Sequence, residues 1–138
     1  MKTKMKIVAL FLLTGIMLLM YTMPAFATDI NPRLTNISTS TATFGVYNNT
    51  GEVVVNYWGR ADNFLRAEAH VKIEKKFLLV FWKDVVEWTG SCSEVNGTIV
   101  GTFTADGDGK YRATVTLTVY GKNGVNDVIE SVIETTAG

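Results

Sequence analysis

Cysteine, histidine and proline are scarce in this chain, which has one, one and two of them in 138 residues. Because Cys92 is alone, no internal disulfide can form, and the hydrophobic core must stabilise the fold unaided. Zinc sites need several His or Cys ligands, and nucleophilic catalysis needs a base beside the Ser or Cys nucleophile. We therefore expect a protein that is not an enzyme and that uses no cofactor and no metal.

Neither sign of charge is in excess, since 13 Lys and Arg residues balance 13 Asp and Glu residues. Nucleic-acid binding depends on a basic surface that neutralises phosphates, so nucleic acid is not an expected partner. Asp106-Gly107-Asp108-Gly109 resembles the start of a calcium loop, but no Glu stands where such a loop closes. We predict a hairpin turn there.

The first 27 residues have the three parts of a secretory signal peptide. Three lysines stand among the first six residues, and an uncharged, largely apolar stretch covers residues 7–20. Pro24 and the small-x-small sequence Ala25-Phe26-Ala27 follow, which predicts cleavage before Thr28. An uncleaved membrane anchor is the alternative, but Pro24 interrupts the helix where it would have to continue. We expect a secreted, extracellular protein with one domain, residues 28–138, and no membrane span after cleavage.

Apolar and polar residues alternate along most of the remaining chain, and no segment has a helical period. Turn-forming residues separate the alternating segments, as at Asn48-Asn49-Thr50-Gly51. After the signal-peptide helix we therefore predict an all-β fold, a single antiparallel β-sandwich of about seven strands. The predicted strands are residues 34–38 (a short edge strand), 41–47, 52–58, 66–74, 84–88, 98–104, 111–120 and 128–135.

The alternation also predicts which side chains enter the core. In the clearest strand, the core face consists of Ala67, Ala69, Val71 and Ile73. His70 falls on the opposite, charged face, so we expect a solvated histidine that is neither a ligand nor a base. Residues 90–93 around Cys92 are predicted to be a loop with a free thiol. A disulfide-linked dimer through Cys92 is the alternative.

One motif resembles immunoglobulin and fibronectin type III domains. Asp108-Gly109-Lys110-Tyr111-Arg112-Ala113 is similar to the stretch that opens strand F in those domains. The resemblance implies that Tyr111 forms the tyrosine corner. Ala113 stands where immunoglobulin domains place a cysteine, which favours the disulfide-free relatives.

Three motifs in order resemble a family of small secreted β-sandwich proteins from Gram-positive bacteria. They are Val71-Lys72-Ile73-Glu74-Lys75-Lys76, Trp82-Lys83-Asp84-Val85-Val86-Glu87-Trp88 and Gly109-Lys110-Tyr111-Arg112-Ala113. The likeness covers the chain from about Pro32 to its end. No activity is attached to this family, so the resemblance implies the fold and the extracellular compartment only.

One stretch breaks the alternation: Phe77-Leu78-Leu79-Val80-Phe81-Trp82 is continuously apolar between Lys75-Lys76 and Lys83-Asp84. A two-layer sandwich leaves one face of each strand in water, so both faces of such a run cannot be buried without a cover. One interpretation is a central strand covered by the loop at residues 59–65. The other is a hairpin tip that exposes Phe77, Leu78, Leu79 and Phe81 as a binding surface.

The three tryptophans offer a second candidate surface, because aromatic rings stack on sugars. Trp82 and Trp88 are predicted to lie in the core. Trp58 alternates away from Val53, Val55 and Tyr57, so it is the best candidate for an exposed ring.

Three functions stay open. The first is an extracellular interaction module that binds a protein or the cell envelope through residues 77–82. The second is a carbohydrate- or cell-wall-binding module that uses Trp58. The third is a small secreted effector that acts on the membranes of competing cells, for which peripheral membrane contact is expected.

Overall fold

The computed structural model describes residues 34–138, and the predicted signal peptide lies outside the described residues. Within this range the chain forms seven strands that pair only in antiparallel fashion. The prediction of an all-β fold is confirmed. The strands are β1 (Ile37–Tyr47), β2 (Thr50–Gly59), β3 (Phe64–Phe77), β4 (Phe81–Cys92), β5 (Asn96–Thr104), β6 (Gly109–Gly121) and β7 (Asn126–Ala137).

The strands form two sheets that pack as a β-sandwich. One sheet has the order β1-β2-β5, and the other has the order β4-β3-β6-β7. Val53 and Val55 from the first sheet join Val71 and Val115 from the second in one buried apolar cluster. Burying this cluster is the main stabilising contribution, since the chain has no disulfide.

Side chains predicted to face the core do so. Ala67, Ala69, Val71 and Ile73 are each at most 1% exposed. On β6, the buried positions are Tyr111, Ala113, Val115, Leu117 and Val119. The period of two therefore identified the core face of both central strands of the larger sheet.

Strands β2 to β7 are all longer than predicted, and two of the predicted segments are wrong in kind. Residues 34–38 and 41–47 do not form separate strands, because pairing with β2 continues through Ser40 and Thr41. The predicted loop at residues 90–93 is wrong, since Gly90 and Cys92 pair with Ala69 and Ala67 and so extend β4 to Cys92. In both places backbone pairing with a neighbouring strand continues through residues that the local sequence did not assign to a strand.

A β-bulge in β4 changes which of its side chains face the core. Val86 pairs with Ile73 and Asp84 pairs with Glu74, which leaves Val85 without a partner in β3. An extra residue of this kind reverses the in–out alternation beyond it. The side chains of β4 that precede Val85 therefore lie on the opposite face from the one that a regular strand would give them.

A buried polar cluster ties the start of β1 to the turn before β7. The Asp127 carboxylate accepts hydrogen bonds from the backbone N–H groups of Thr35, Asn36 and Ile37, at 2.7 to 3.2 Å. The Asn36 side chain, fully buried, donates to the carbonyl groups of Val119 and Val125 at 2.8 and 2.7 Å. These bonds satisfy groups that would otherwise be buried without partners, so the cluster is structural.

Candidate functional site

The hairpin between β3 and β4 carries the largest run of exposed apolar side chains in the described residues. Its members, here called the apolar tip, are Phe77 (52% exposed), Leu78 (68%), Leu79 (87%), Val80 (73%) and Phe81 (62%). Surface apolar residues are normally scattered singly, and a contiguous patch marks an interaction surface.

The interpretation of a strand covered by residues 59–65 is wrong. Residues 60–63 lie before β3 and the apolar tip follows it, so the whole 14-residue strand separates them. The loop is bonded elsewhere: Arg60 donates its backbone N–H to Asn36, and Asn63 accepts one from Lys122. Phe64, which was assigned to that loop, is a buried core residue at the start of β3.

The backbone of the apolar tip is unfavourable for the residues that occupy it. Leu78 and Leu79 have φ values of 52° and 67°, in the left-handed region that L-residues with bulky side chains avoid. Asn48 and Asn49 in the β1–β2 turn have similar φ values of 50° and 64°, although that loop has two residues and the β3–β4 loop has three. Asparagine tolerates this region well, so one hairpin places suitable residues at its positive φ values and the other places leucines there.

Lysines surround the base of the apolar tip. Lys75 and Lys83 are direct cross-strand partners, and Lys76 pairs with Trp82 in the next row. A hollow of about 310 Å³ lies beside the tip, here called the lysine hollow. It is lined by Lys75, Lys76, Phe77, Leu78, Lys83 and Asp106.

Trp82 lies on the outer face of the larger sheet, so its predicted place in the core is wrong. The β4 bulge turns it outward, where its ring lies 4.2 Å from the guanidinium carbon of Arg112. Arg112 in turn donates two hydrogen bonds to one carboxylate oxygen of Glu74, at 3.1 and 2.8 Å. Charged neighbours thus half-bury Trp82, which lies in the cross-strand pair next to Phe77 and Phe81 of the apolar tip.

Trp88 and Trp58 lie where the alternation of apolar and polar residues predicted them. Trp88 packs against the core, with its ring centroid 6.1 Å from that of Phe103 and its indole over Gly101. Trp58 is 43% exposed on the outer face of the three-stranded sheet. Its register partners there are Thr39 and Asn96, both uncharged.

The structure does not bring Trp58 and the apolar tip together. Trp58 stands near the end of β2, just before the residue 60–63 loop, whereas the tip follows β3. The two candidate surfaces therefore lie at opposite ends of the sandwich, on different sheets.

His70 and Tyr57, two side chains that could take part in acid–base chemistry, make structural contacts. His70 lies on the polar face as predicted, with its Nε2 atom 2.6 Å from a Glu87 carboxylate oxygen. Tyr57 donates its hydroxyl to the Glu94 carbonyl at 2.5 Å, and burial, followed by the adjacent Cys92 thiol, raises the pKa of Tyr57. In residues 34–138 no cluster of three or more His, Cys, Asp or Glu side chains is arranged to hold a metal ion.

No protein-family model, curated protein or solved structure matches this chain. No helix in the described part is long and apolar enough to cross a membrane. The exposed apolar tip was one of the two structures that the sequence left open for residues 77–82. The lysine hollow was not predicted, since its only sequence signal is the pair of charged segments that flank the apolar run.

Proposed function

We propose that this protein is a secreted, non-catalytic interaction module that binds the cell envelope or an extracellular protein through its apolar tip. The observation that carries the proposal is the occupation of a left-handed turn by two exposed leucines. Strain at an exposed site that gains no core contacts is a pointer to function. In the β1–β2 turn, by contrast, the two residues with positive φ are asparagines.

The exposed area is large enough to drive association. If the apolar tip exposes on the order of 300 Å², its burial at ~25 cal/mol per Å² is worth roughly 7 kcal/mol before the costs of association. Association costs about 4–15 kcal/mol, so this contribution by itself corresponds to millimolar binding at most. The tip alone therefore supports modest binding, and neighbouring polar contacts would have to supply the rest.

The proposal includes a relationship to immunoglobulin and fibronectin type III domains. If the strands are lettered A, B, C, C′, E, F and G in chain order, the two sheets are A-B-E and C′-C-F-G, an immunoglobulin-type order without a strand D. Tyr111 donates its hydroxyl to the Gly107 carbonyl, four residues upstream, at 2.6 Å, as a tyrosine corner does. Both features support the resemblance.

The test is to fractionate a culture that secretes the full chain and to ask where the protein is found. We expect wild-type protein on the cell wall or membrane and the Leu79→Ser/Phe81→Ser variant in the medium, because the variant removes the two apolar side chains with 87% and 62% exposure. The matched control is Val100→Ser/Val128→Ser, which alters side chains with 55% and 62% exposure far from the tip. Unchanged retention of the tip variant, with an intact fold by circular dichroism, would overturn the proposal.

A carbohydrate-binding function is the second candidate, and it is favoured by the surroundings of Trp58. The ring is exposed in a face made largely of threonine, asparagine and valine, where Thr98 donates a hydrogen bond to Asn56 at 2.7 Å. An aromatic ring flanked by hydroxyl and amide groups suits a sugar. We expect Trp58→Ala to abolish sedimentation with purified cell wall, and unchanged sedimentation would eliminate this function.

A further inference from the structure

The lysine hollow contains an arrangement that is unfavourable in the protein alone. Lys75 and Lys83 stand directly opposite each other in the antiparallel β3–β4 pair, and both line the same hollow. Like charges in directly opposed positions destabilise a sheet. Lys75 lies at the edge of the core, with its ammonium group 5.7 Å from the centroid of the buried Tyr111 ring, whereas Lys83 is exposed.

Nearby carboxylates do not neutralise these lysines. Asp84 pairs with Lys72 at 3.5 Å, and Glu74 is bonded to Arg112. In the part of the chain described by the structure, none of Lys75, Lys76 and Lys83 lies within ion-pair distance of a carboxylate. Lys75 donates to the backbone carbonyl of Asp106, which bears no formal charge. The hollow therefore has positive charge that an anion would balance.

The hollow is continuous with the apolar tip, since Phe77 and Leu78 belong to both. A partner must then present an anionic layer directly beside an apolar one. The surface of a bilayer with anionic phospholipids has this order, with phosphate groups above acyl chains. Trp82 lies at the next level, 5.8 Å from the Lys76 ammonium, and tryptophan is the side chain that favours the membrane–water boundary.

We propose that the apolar tip inserts shallowly into a membrane that contains anionic phospholipid, with a lipid phosphate group in the lysine hollow. This inference rests on the proposed function, because it names the partner of the same tip. The convex shape of a hairpin end suits a fluid layer that closes around it. Lys75 and Lys83 bind the headgroup, and the leucines and phenylalanines enter the acyl region.

The test is co-sedimentation of the full chain, purified from a secreting culture, with vesicles of phosphatidylcholine alone or mixed with phosphatidylglycerol. We expect binding to the mixed vesicles and much weaker binding to phosphatidylcholine. A lysine near an anionic surface strengthens binding about fivefold, so Lys75→Gln/Lys83→Gln should weaken it by about 25-fold. Arg60→Gln/Lys122→Gln is the matched control, because it removes two exposed positive charges at the opposite end of the sandwich.

Four outcomes would overturn the inference. Equal binding to both vesicle types, or equal losses in the two charge variants, would exclude a headgroup site in the hollow. Binding of inorganic phosphate without binding of vesicles would assign the hollow to a soluble anion. Absence of vesicle binding while Leu79→Ser/Phe81→Ser still releases the protein from cells would leave the proposed function standing and would indicate a protein partner.

Discussion

Leu78 and Leu79 have a backbone conformation that is unfavourable for folding and side chains that are exposed for binding. Their left-handed backbone conformation costs roughly 1–2 kcal/mol per residue for side chains with a β-carbon, and little for glycine. Both side chains are mostly exposed, so they gain little from the core. The free protein would therefore be more stable with a different sequence at this turn.

We predict that Leu78→Asn/Leu79→Gly raises the free energy of unfolding by about 1–2 kcal/mol, because asparagine and glycine tolerate the positive φ values of these two positions. The same variant should lose its association with cells or vesicles. Urea denaturation measures the first effect and sedimentation the second.

The converse change, Asn48→Leu/Asn49→Leu, serves as the control and should destabilise the fold by a similar amount, since those residues have nearly the same φ values. A loss of stability in the Asn-Gly variant would mean that the leucines support the hairpin and that their backbone conformation is no sign of function.

β4 shows how a single extra residue redirects a strand. Val85 has no partner in β3, and both Val85 and Val86 pack against the core. Trp88 therefore points inward while Trp82 points outward. The predicted core position of Trp82 failed because a period of two cannot reveal a bulge, which is defined by the neighbouring strand.

The contact between β4 and β5 depends on a glycine. A β-carbon added to Gly101 would lie 2.2 Å from the Trp88 indole nitrogen, so no larger residue fits without moving the ring. We predict that Gly101→Ala destabilises the protein by about 1–3 kcal/mol through overpacking. Thermal unfolding followed by circular dichroism will measure the change.

Gly45 provides the comparison within the same sheet, because a β-carbon there would meet nothing within 4 Å. Gly45→Ala should leave stability unchanged or raise it by up to about 1 kcal/mol, since it removes conformational freedom from the unfolded chain. Equal effects of the two alanine substitutions would show that the Trp88 contact does not limit stability.

The whole molecule has two candidate surfaces at opposite ends. The apolar tip follows β3 and Trp58 precedes it, with the buried core between them. Substitutions at distant sites without shared partners add within about 0.5 kcal/mol. We therefore expect Trp58→Ala to leave vesicle binding unchanged. Phe81→Ser leaves cell-wall sedimentation unchanged only if the second candidate function, wall binding through Trp58, is the one that holds.

The two ends can be compared in one double variant, Trp58→Ala/Phe81→Ser. Its losses in the wall and vesicle assays should equal those of the single variants. A larger loss in either assay would indicate that both ends contact one ligand, which the separation of the two surfaces argues against.

The amino-acid sequence by itself determined the all-β fold, the core faces of β3 and β6 and the existence of the apolar run. Each of these depends on neighbours along the chain: a period of two sets the buried face of β3 and β6, and six consecutive apolar residues stand out from any alternating strand. For the same reason the exposed position of Trp58 and the solvated face of His70 were predictable.

Only the tertiary structure decided the features that join distant segments. Lys75 faces Lys83 because of the β3–β4 register, and Asp127 reaches Asn36 across 91 positions of sequence. Only the fold could show that residues 60–63 lie at the far end of β3 from the apolar tip and leave it exposed. The physical reason is that backbone pairing and burial are set by which strands meet, and no local pattern records that choice.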